Sequence, residues 1–481
     1  MKLLELGITI LYFVACILIA LYFRRKAGTG ELAYWGAERK IGFIVNGTAQ
    51  FSALVSAASF LGFLGLSYRL GWSFTTMAFG VGSTLGFILS MLIISGPLRR
   101  YSELKGKFTL ANFFSDRYGT PTALATTIFI LILFPVYIVP QLMGGGLAAA
   151  YILGINFQYA VILVGIVYVS YVLIGGMLSV TWTDFLQGIL MFVFMVGLSI
   201  TALIHFGGFG TLLPKAISVN PFFLSLHPKV SPWTYFGIAL GVLTFALASP
   251  HIIMRLFTAR DVKQGRAALS LTAGLSLTFH LLGYIGVAAA ALVIAPKLAK
   301  IDTTYIVVMN ELFPPVIRGF AVAGILAAIM STTDAMLLAS GAEFSNNIYK
   351  KFFKPDATES QTIKVAQIIM VIIGILTIIL AIYETKTIGV IVGLLVEGTG
   401  SAFVVPLIAG IWWKRANKVG GFLSCVGGFV VFVFIHYMKV VPMFAEILIS
   451  LPASIVLMII GSLLTAPPRD EIQLMEAIHR T

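Results

Sequence analysis

Residues 327–334 read Ala-Ala-Ile-Met-Ser-Thr-Thr-Asp, and long apolar runs stand on both sides of them. Three hydroxyls and a carboxylate therefore follow one another at a depth where an apolar helix would cross a membrane. Polar and ionisable groups are costly in hydrocarbon, so they normally face a cavity or the interior of a helix bundle. Adjacent side-chain oxygens, with backbone carbonyls one turn earlier, suit a small hard cation. The stretch therefore predicts a sodium site.

The composition of the whole chain is that of a membrane protein. Of its 481 residues, 59% are hydrophobic and 11% are charged, whereas soluble domains have about 45–50% apolar and about 25% charged residues. The mean hydropathy is +1.00. A membrane-crossing helix needs about 20 apolar residues, and such segments recur along the whole length. We predict thirteen spans, at residues 6–23, 43–67, 72–96, 122–153, 157–178, 184–207, 233–254, 268–294, 317–340, 363–382, 387–411, 419–436 and 442–464.

The net charge of +13 follows the predicted topology and does not indicate nucleic-acid binding. With the N-terminus outside, thirteen spans place most of the Lys and Arg residues in the inner connections and the C-terminal tail. That asymmetry is the positive-inside rule. We therefore expect a multi-pass protein of the cell membrane with a cytoplasmic C-terminus. Its partners would be the lipid bilayer and a small solute, without nucleic acid, and its oligomeric state stays open.

Two of the predicted spans contain features of broken helices. Within the second span, residues 51–62 are rich in small and hydroxyl side chains. The seventh span contains Ser249-Pro250-His251, where Pro250 lacks an N–H. Broken helices are tolerated at membrane depth only where they line a cavity or are buried in protein. Two such segments five helices apart indicate an inverted-repeat transporter with a site at the membrane midplane. A stretch of small residues also fits a close helix–helix contact.

Several polar residues in the spans are candidates for the site. Ser331 and Thr332 offer hydroxyl oxygens, although such groups often bond to carbonyls of their own helix. Asp334 lies one turn after Ser331 on nearly the same face. Asp184 stands in the first turn of the sixth span, where it complements the helix dipole or lines the exit route of a cation. Glu397 precedes two glycines and could meet a cationic group, hold a proton or bond to a neighbouring helix.

The sequence gives little support to an enzymatic function. It contains no HExxH, GxSxG or phosphate-binding glycine-rich motif in a suitable context. Cys16 and Cys425 both lie in apolar spans, so neither a disulfide framework nor a cysteine metal motif follows. The inner connections are too short to house an ATPase. Uphill transport would therefore draw on an ion gradient, and we predict that the chain is not an enzyme.

At these residues the chain resembles the solute:sodium symporter family, over about residues 40–460. The resemblance rests on four motifs: Ala-Ile-Met-Ser-Thr at 328–332, Trp182-Thr183-Asp184 with Gln187, Gly-Gly-Met-Leu-Ser at 175–179, and Gly410-Ile411 with Arg415 and Gly420-Gly421. It implies an all-α polytopic protein with a leucine-transporter-like core of two inverted five-helix repeats. The core would occupy residues 41–413, between a leading helix in 1–40 and two trailing helices with an inner tail in 414–481.

The resemblance also implies the residues that hold the co-transported sodium and the solute. The sodium ligands would be the carbonyls of Ser52, Val55 and Ala328 and the hydroxyls of Ser331 and Thr332. Asp184 and Asp334 would lie near that site or its exit route, and His251 would act as a gate. The residues expected to face the central substrate cavity are Ser59, Thr75, Thr76, Tyr137, Gln141, Thr244, Phe245 and Glu397.

The predicted activity is sodium-coupled uptake of a small organic solute by alternating access. Pantothenate and acetate carriers look closer than proline or sugar carriers, through residues 141–145 and Pro250-His251, so a small carboxylate is the expected solute. Glu397 would repel such an anion unless it is protonated or paired. Three alternatives stay open: a proton-coupled carrier in which Asp334 or Glu397 titrates, a sodium/amino-acid or sodium/sugar symporter, and a sodium-binding sensor or channel-like protein.

Overall fold

The protein is a bundle of helices, as its hydropathy predicts. A computed structural model describes residues 2–26, 28–384, 388–468 and 471–479. Within these ranges the chain forms no strand, and its β-structure is a single bridge between Ile41 and Ala259. Helices are the expected form, because backbone groups in hydrocarbon must find their partners within the segment itself. The prediction of an all-α protein is confirmed.

The long apolar segments form the helices that we label α1 to α15. Their bounds are α1 Lys2–Lys26, α2 Phe43–Leu54, α3 Ala58–Leu70, α4 Trp72–Lys105, α5 Thr120–Leu153, α6 Phe157–Gly175, α7 Met177–His205, α8 Pro232–Ala248, α9 Pro250–Thr258, α10 Val262–Ile294, α11 Pro315–Phe353, α12 Glu359–Tyr383, α13 Ile388–Trp412, α14 Lys418–Met438 and α15 Ile447–Leu463. Shorter helices lie in the connections, at Glu31–Gly36, Leu110–Tyr118, Phe209–Val219, Thr304–Leu312 and Glu471–His479.

The thirteen predicted spans all correspond to helices. Among the described residues, 10 helices are long and apolar enough to cross a membrane, with α8 and α9 taken as one span. The pair α2–α3, bent by 62°, makes an eleventh span. The two remaining predicted spans correspond to α6 and α15, which are shorter apolar helices. The division into a leading helix, a ten-helix core and a trailing pair stays a prediction.

The connections that carry the basic clusters lie together at one end of the bundle, which we call the basic face. Lys350, in the last turn of α11, forms an ion pair with Glu31, before α2, at 3.2 Å. Arg117, before α5, donates to the carbonyl of Gly410 near the end of α13 at 3.0 Å. These contacts join connections that are far apart in sequence. The basic residues are therefore grouped in space as the positive-inside rule requires.

The interruption between α2 and α3 is held open by side chains. Val55 has extended backbone angles, φ −76° and ψ 110°, so α2 ends there. The N–H of Ala57 donates to Oε1 of Gln141 on α5 at 2.9 Å, and the N–H of Ala58 donates to Oγ of Ser56 at 3.2 Å. Unpaired backbone groups at membrane depth cost several kcal/mol each. These two contacts therefore stabilise the break.

The second interruption separates α8 from α9. Ser249 has extended backbone angles, φ −67° and ψ 129°, and Pro250 is the first residue of α9. Proline is well placed there, because its fixed φ suits the first helical turn and its missing N–H would have no helical acceptor. The hydroxyl of Ser249 shares a hydrogen bond of 2.9 Å with Nδ1 of His251. Both predicted breaks are thus present.

Glycines bring the broken helix close to α13. A methyl group added at Gly62 of α3 would lie 2.6 Å from the backbone nitrogen of Gly389. No real side chain tolerates that distance to backbone, so the two helices can approach this closely only because residue 62 is glycine. The contact fixes α3 against the start of α13.

We expect Gly62→Ala to destabilise the protein, because the added methyl forces α3 away from α13. The expected loss is about 1–3 kcal/mol, measured as a lower unfolding temperature of the purified protein in detergent. Gly197→Ala is the matched control, since no heavy atom lies within 4 Å of a methyl at Gly197 on α7. The control should keep or raise the unfolding temperature. Equal unfolding temperatures of the Gly62→Ala and Gly197→Ala variants would contradict the close contact between α3 and α13.

Candidate functional site

The hydroxyls of Ser331 and Thr332 on α11 contact the broken end of α2. Ser331 Oγ donates to the carbonyl of Ser52 at 2.9 Å and lies 3.4 Å from the carbonyl of Ala328. Thr332 Oγ1 donates to the carbonyl of Ala53 at 3.3 Å. All five residues are buried. Two hydroxyls and three carbonyls therefore converge between α2 and α11, and the shorter bond of Ser331 crosses to the other helix.

The carbonyl of Val55, also predicted as a ligand, lies inside the break. Its usual helical donor, the N–H of Ser59, bonds to the carbonyl of Ser56 at 2.9 Å. The Val55 carbonyl is therefore open to a ligand, although it has no hydrogen bond to the two hydroxyls. The structure brings four of the five predicted sodium ligands together. It adds the carbonyl of Ala53, which the sequence reasoning did not include.

The chemistry of this cluster fits a small monovalent cation. The two hydroxyls and the three carbonyls that meet between α2 and α11 all offer oxygen atoms, and hard cations prefer oxygen ligands. The hydroxyls of Ser331 and Thr332 now donate to carbonyls, and rotation about the C–O bond would turn their lone pairs toward an ion. Within the described chain, no group of three or more His, Cys, Asp or Glu side chains could hold a metal ion. A transition-metal centre of that kind is therefore absent from these residues.

A buried ion pair lies on the basic-face side of these hydroxyls. Asp184 on α7 is bonded to Arg255 on α9, and the two side chains are 0% and 1% exposed. Asp334, one turn after Ser331 on α11, lies against Asp184. Both carboxylate oxygens of Asp334 are buried without a hydrogen-bond partner in the described structure. Buried charges need a partner, so Arg255 is the shared counter-charge of two carboxylates.

Sequence reasoning placed Asp184 and Asp334 near the sodium site and missed Arg255. The two acids contact each other one turn from Ser331, while their place beside a sodium site or its exit route stays a prediction. The sequence does contain a signal for Arg255: an arginine stands one turn after His251, just beyond the helix break and at membrane depth. An arginine there requires a buried acid as its partner. Sequence alone does not say which acid it is.

We expect Arg255→Gln to lower stability by about 3–5 kcal/mol, because two buried carboxylates then lose their counter-charge. Adding Asp184→Asn to that variant should restore part of the loss, since it removes one of the uncompensated charges. Thermal unfolding of the wild type, both single variants and the double variant measures the coupling. Lys414→Gln, which breaks the exposed pair with Glu476, should change stability by less than about 1 kcal/mol. Additive losses at Arg255 and Asp184 would contradict the pairing.

A narrow cavity lies beside the break of α2 and α3. Its volume of about 10 Å³ is roughly that needed for one water molecule. A solute of amino-acid size therefore enters only if the lining side chains move apart. The residues that line it are Leu54, Ser56, Ser59, Phe63, Phe79, Tyr137, Val242, Phe245, His280 and Val396.

Three of the predicted substrate residues, Ser59, Tyr137 and Phe245, line this cavity. The rings of Tyr137 and Phe245 are stacked with centroids 5.6 Å apart and planes 3° apart, which makes a flat aromatic wall. Tyr284 of α10 donates to the carbonyl of Ser59 at 2.6 Å. His280, from the same helix, also lines the cavity and was not among the predicted substrate residues. The helix α10 therefore contributes to the site.

The other predicted substrate residues do not line the cavity. Gln141 caps the break, as described above. Thr75 is bonded to Ser67, and Thr244 donates to the carbonyl three residues earlier in its own helix at 2.8 Å. Thr76 is buried, and its hydroxyl has no partner within the described chain. Gln141, Thr75 and Thr244 are thus bonded to a neighbouring helix or to their own helix, and a role of these four side chains in binding the solute stays a prediction.

Glu397 is also directed away from the cavity, toward α15. Its Oε2 accepts the N–H of Ile447 at 3.1 Å, and its carboxylate lies against that of Glu446. Glu446 in turn is paired with Nδ1 of His436 at 2.7 Å. The preceding residue, Val396, lines the cavity instead, because neighbouring residues of a helix point about 100° apart. The structure therefore shows Glu397 bonded to the start of α15 and outside the lining of the narrow cavity, and a role in binding the solute stays a prediction.

We expect Glu397→Gln to be tolerated, because the amide oxygen still accepts the N–H of Ile447 and the amide N–H can donate to Glu446. Glu397→Ala should lose about 1–3 kcal/mol, since the buried N–H is left unpaired. Unfolding temperatures of the purified variants measure both effects. Glu311→Gln, at an exposed position, is the control for loss of one negative charge. A larger loss for Gln than for Ala would show that the carboxylate charge itself is required.

His251 lies between the second break and the cavity wall. Its ring contacts Phe134, with centroids 5.5 Å apart, and Phe245, with centroids 5.6 Å apart. The side chain is buried. A movement of α9 would therefore displace Phe245, which lines the cavity. The role of His251 as a gate stays a prediction.

Comparison with known proteins places the chain among sodium-coupled carriers. The model of the sodium:solute symporter family matches residues 34–428. The osmoregulated proline transporter OpuE of Bacillus subtilis is 29% identical over 432 residues, with 87% of this chain and 86% of the relative covered. The high-affinity proline transporter PutP of the same organism is 28% identical over 458 residues, covering 94% and 96%. A sodium/proline symporter of Staphylococcus aureus is 30% identical over 447 residues, covering 89% and 85%. These relatives do not support the expected closeness to pantothenate and acetate carriers.

Solved structures show the same fold. A Na+-coupled sialic acid symporter, in a substrate-bound outward-open state, superposes with a TM-score of 0.82 at 19% identity, covering 97% of this chain and 99% of that chain. MhsT in complex with L-phenylalanine superposes with a TM-score of 0.59 at 15% identity, covering 88% and 98%. At these identities the likeness concerns the fold alone. The predicted leucine-transporter-like architecture is confirmed.

Proposed function

This chain belongs to the sodium:solute symporter family, and from that premise we propose that it imports proline or a similar small amino acid together with sodium. Transport proceeds by alternating access, with the basic face in the cytoplasm. An amino acid was one of the open alternatives to the small carboxylate that the sequence favoured, and the proposal adopts this alternative. The relatives named above are proline transporters, which supports this choice of solute.

The observation that carries the sodium assignment is the contact between the hydroxyls of α11 and the broken end of α2. Ser331 and Thr332 reach the carbonyls of Ser52 and Ala53 across the helix boundary. An ion at this point replaces two hydrogen bonds by direct oxygen contacts. It therefore ties α11 to α2 more tightly than the hydroxyls do alone. A conformational change that separates these helices must release the ion.

The solute is proposed to bind in the narrow cavity beside the same break. The N-terminal end of α3 begins at this cavity, and the positive end of a half-helix favours a carboxylate. The stacked rings of Tyr137 and Phe245 offer an apolar wall to a ring such as that of proline. Glu397 is directed to α15, so it presents no carboxylate that would repel the solute. The open carbonyl of Val55 can accept from the ammonium group.

Sodium and solute are coupled because they share the break between α2 and α3. An ion that orders the carbonyls at the end of α2 also orders the start of α3, where the solute carboxylate binds. The coupling is reciprocal, so sodium must tighten solute binding by the same factor by which the solute tightens sodium binding. The free energy of the sodium gradient then drives uptake.

We expect purified protein in proteoliposomes to accumulate radiolabelled L-proline when sodium is higher outside. Ser331→Ala and Thr332→Ala should each raise the sodium concentration for half-maximal uptake by about tenfold, which corresponds to about 1.4 kcal/mol of lost ion binding. Ser340→Ala is the matched control, because its hydroxyl on α11 donates to the carbonyl of Met336 at 2.8 Å and lies away from the ligand set. That variant should keep the wild-type sodium dependence.

Other outcomes of this experiment separate the alternatives. Wild-type sodium dependence in Ser331→Ala and Thr332→Ala would exclude the proposed ligand set. Uptake that needs a pH gradient and ignores sodium would indicate a proton-coupled carrier. Absence of saturable uptake with amino acids, small carboxylates and sugars alike would favour a sensor or channel-like protein.

A further inference from the structure

A second cavity lies at the end of the bundle opposite the basic face. Its volume is about 390 Å³, which is far larger than the narrow cavity at the break. It opens between the ends of α3, α8 and α13 and the connection before α15. We call this cavity the vestibule and define it by Leu66, Arg69, Lys229, Thr234, Val390 and Phe444.

The vestibule and the narrow cavity follow one another along the same helices. On α8, Thr234 lines the vestibule and Val242 lines the narrow cavity; on α13, Val390 and Val396 do the same. These pairs are separated by about 9–12 Å of helix at 1.5 Å per residue. In the proposed orientation, a solute from outside passes the vestibule before it reaches the break.

The charged residues that line the vestibule are both cations. Arg69 and Lys229 line it, and no acidic residue does. Within the described part of the chain neither takes part in an ion pair. Asp302, which follows the lining residue Ile301 in the chain, accepts the N–H of Ile388, and burial raises its pKa. The vestibule therefore has a positive charge that no described acid cancels.

We propose that the vestibule is a first binding site for the solute carboxylate, where Arg69 and Lys229 capture it on its way to the narrow cavity. The proposal rests on the function proposed above. The narrow cavity has no lysine, arginine or acid in its lining, so a cation that pairs with the solute carboxylate must come from elsewhere. L-Proline is a zwitterion without net charge, so Arg69 and Lys229 act on its carboxylate at short range, by pairing with it once it has entered the vestibule. Phe74 and Phe444, which also line the vestibule, offer apolar contact to the remainder of the solute.

Electrostatic capture of this kind depends on ionic strength. At 0.15 M salt, exposed charges are screened beyond about 8 Å. The half-saturating L-proline concentration of the wild type should therefore rise when choline chloride is added at fixed sodium. The maximal rate should stay constant, because the steps after entry do not use these charges.

The test measures L-proline uptake by the wild type and by Arg69→Gln, Lys229→Gln and Arg69→Lys at low ionic strength. Each Gln variant should raise the KM for L-proline roughly 3- to 10-fold and keep the maximal rate and the sodium dependence. The KM of Arg69→Lys for L-proline should stay close to that of the wild type. Lys215→Gln is the matched control, because Lys215 lies on the short helix Phe209–Val219 outside the vestibule lining and loses the same charge. Added choline chloride should reduce the difference between the wild type and the Gln variants.

L-prolinamide, which lacks the carboxylate, distinguishes capture from a structural role. Its amine is protonated and it carries no anionic group, so the loss of a vestibule cation should leave its inhibition constant against L-proline uptake unchanged or lower it. An equal loss of apparent affinity for L-proline and L-prolinamide in the Gln variants would overturn the proposal. An unchanged KM for L-proline in both Gln variants, or a wild-type KM that does not depend on salt, would also overturn it. The salt dependence of the wild type remains a test if a variant fails to fold. If the wild type shows no sodium-driven uptake of L-proline, both the proposed function and this proposal are wrong. If the wild type takes up L-proline but both Gln variants keep its KM, only this proposal is wrong.

Discussion

The break between α2 and α3 is the constraint on which the rest of the structure depends. Backbone N–H and C=O groups cannot be left unpaired at membrane depth, so other helices must supply their partners. Gln141 of α5, Tyr284 of α10 and the hydroxyls of Ser331 and Thr332 on α11 do so. The helices that surround the break are therefore positioned by its hydrogen-bonding requirements. The same polar groups form the proposed sodium site and border the cavity.

The second break places a charge in the same region. Because Ser249 and Pro250 end α8 and begin α9, Arg255 reaches the bundle interior and pairs with Asp184. Asp334 adds a second buried carboxylate next to this pair. Such a group of charges is stable only while α7, α9 and α11 stay together. It therefore links the helix that carries the sodium hydroxyls to the helix that follows the second break.

The path proposed for the solute uses two different kinds of attraction. Arg69 and Lys229 act through charge at the entrance, where water is present and the effect reaches several ångströms. At the break, the end of α3 and the rings of Tyr137 and Phe245 act only by contact. Glu397 takes part in neither, because it is bonded to the start of α15. It joins α13 to α15 instead.

The sequence by itself determined the helical fold, the positions of both breaks and the adjacent hydroxyls of Ser331 and Thr332 at membrane depth. Those features are local, because hydropathy, proline and adjacent hydroxyls act through neighbouring residues. Only the tertiary structure decided that Arg255 is the partner of Asp184, that Ala53 contacts Thr332, and that Gln141 and Glu397 are directed away from the cavity. These features depend on the rotation of each helix about its axis. That rotation is set by packing between helices far apart in sequence, such as Gly62 against Gly389, and a neutral apolar span contains too little polarity to reveal it.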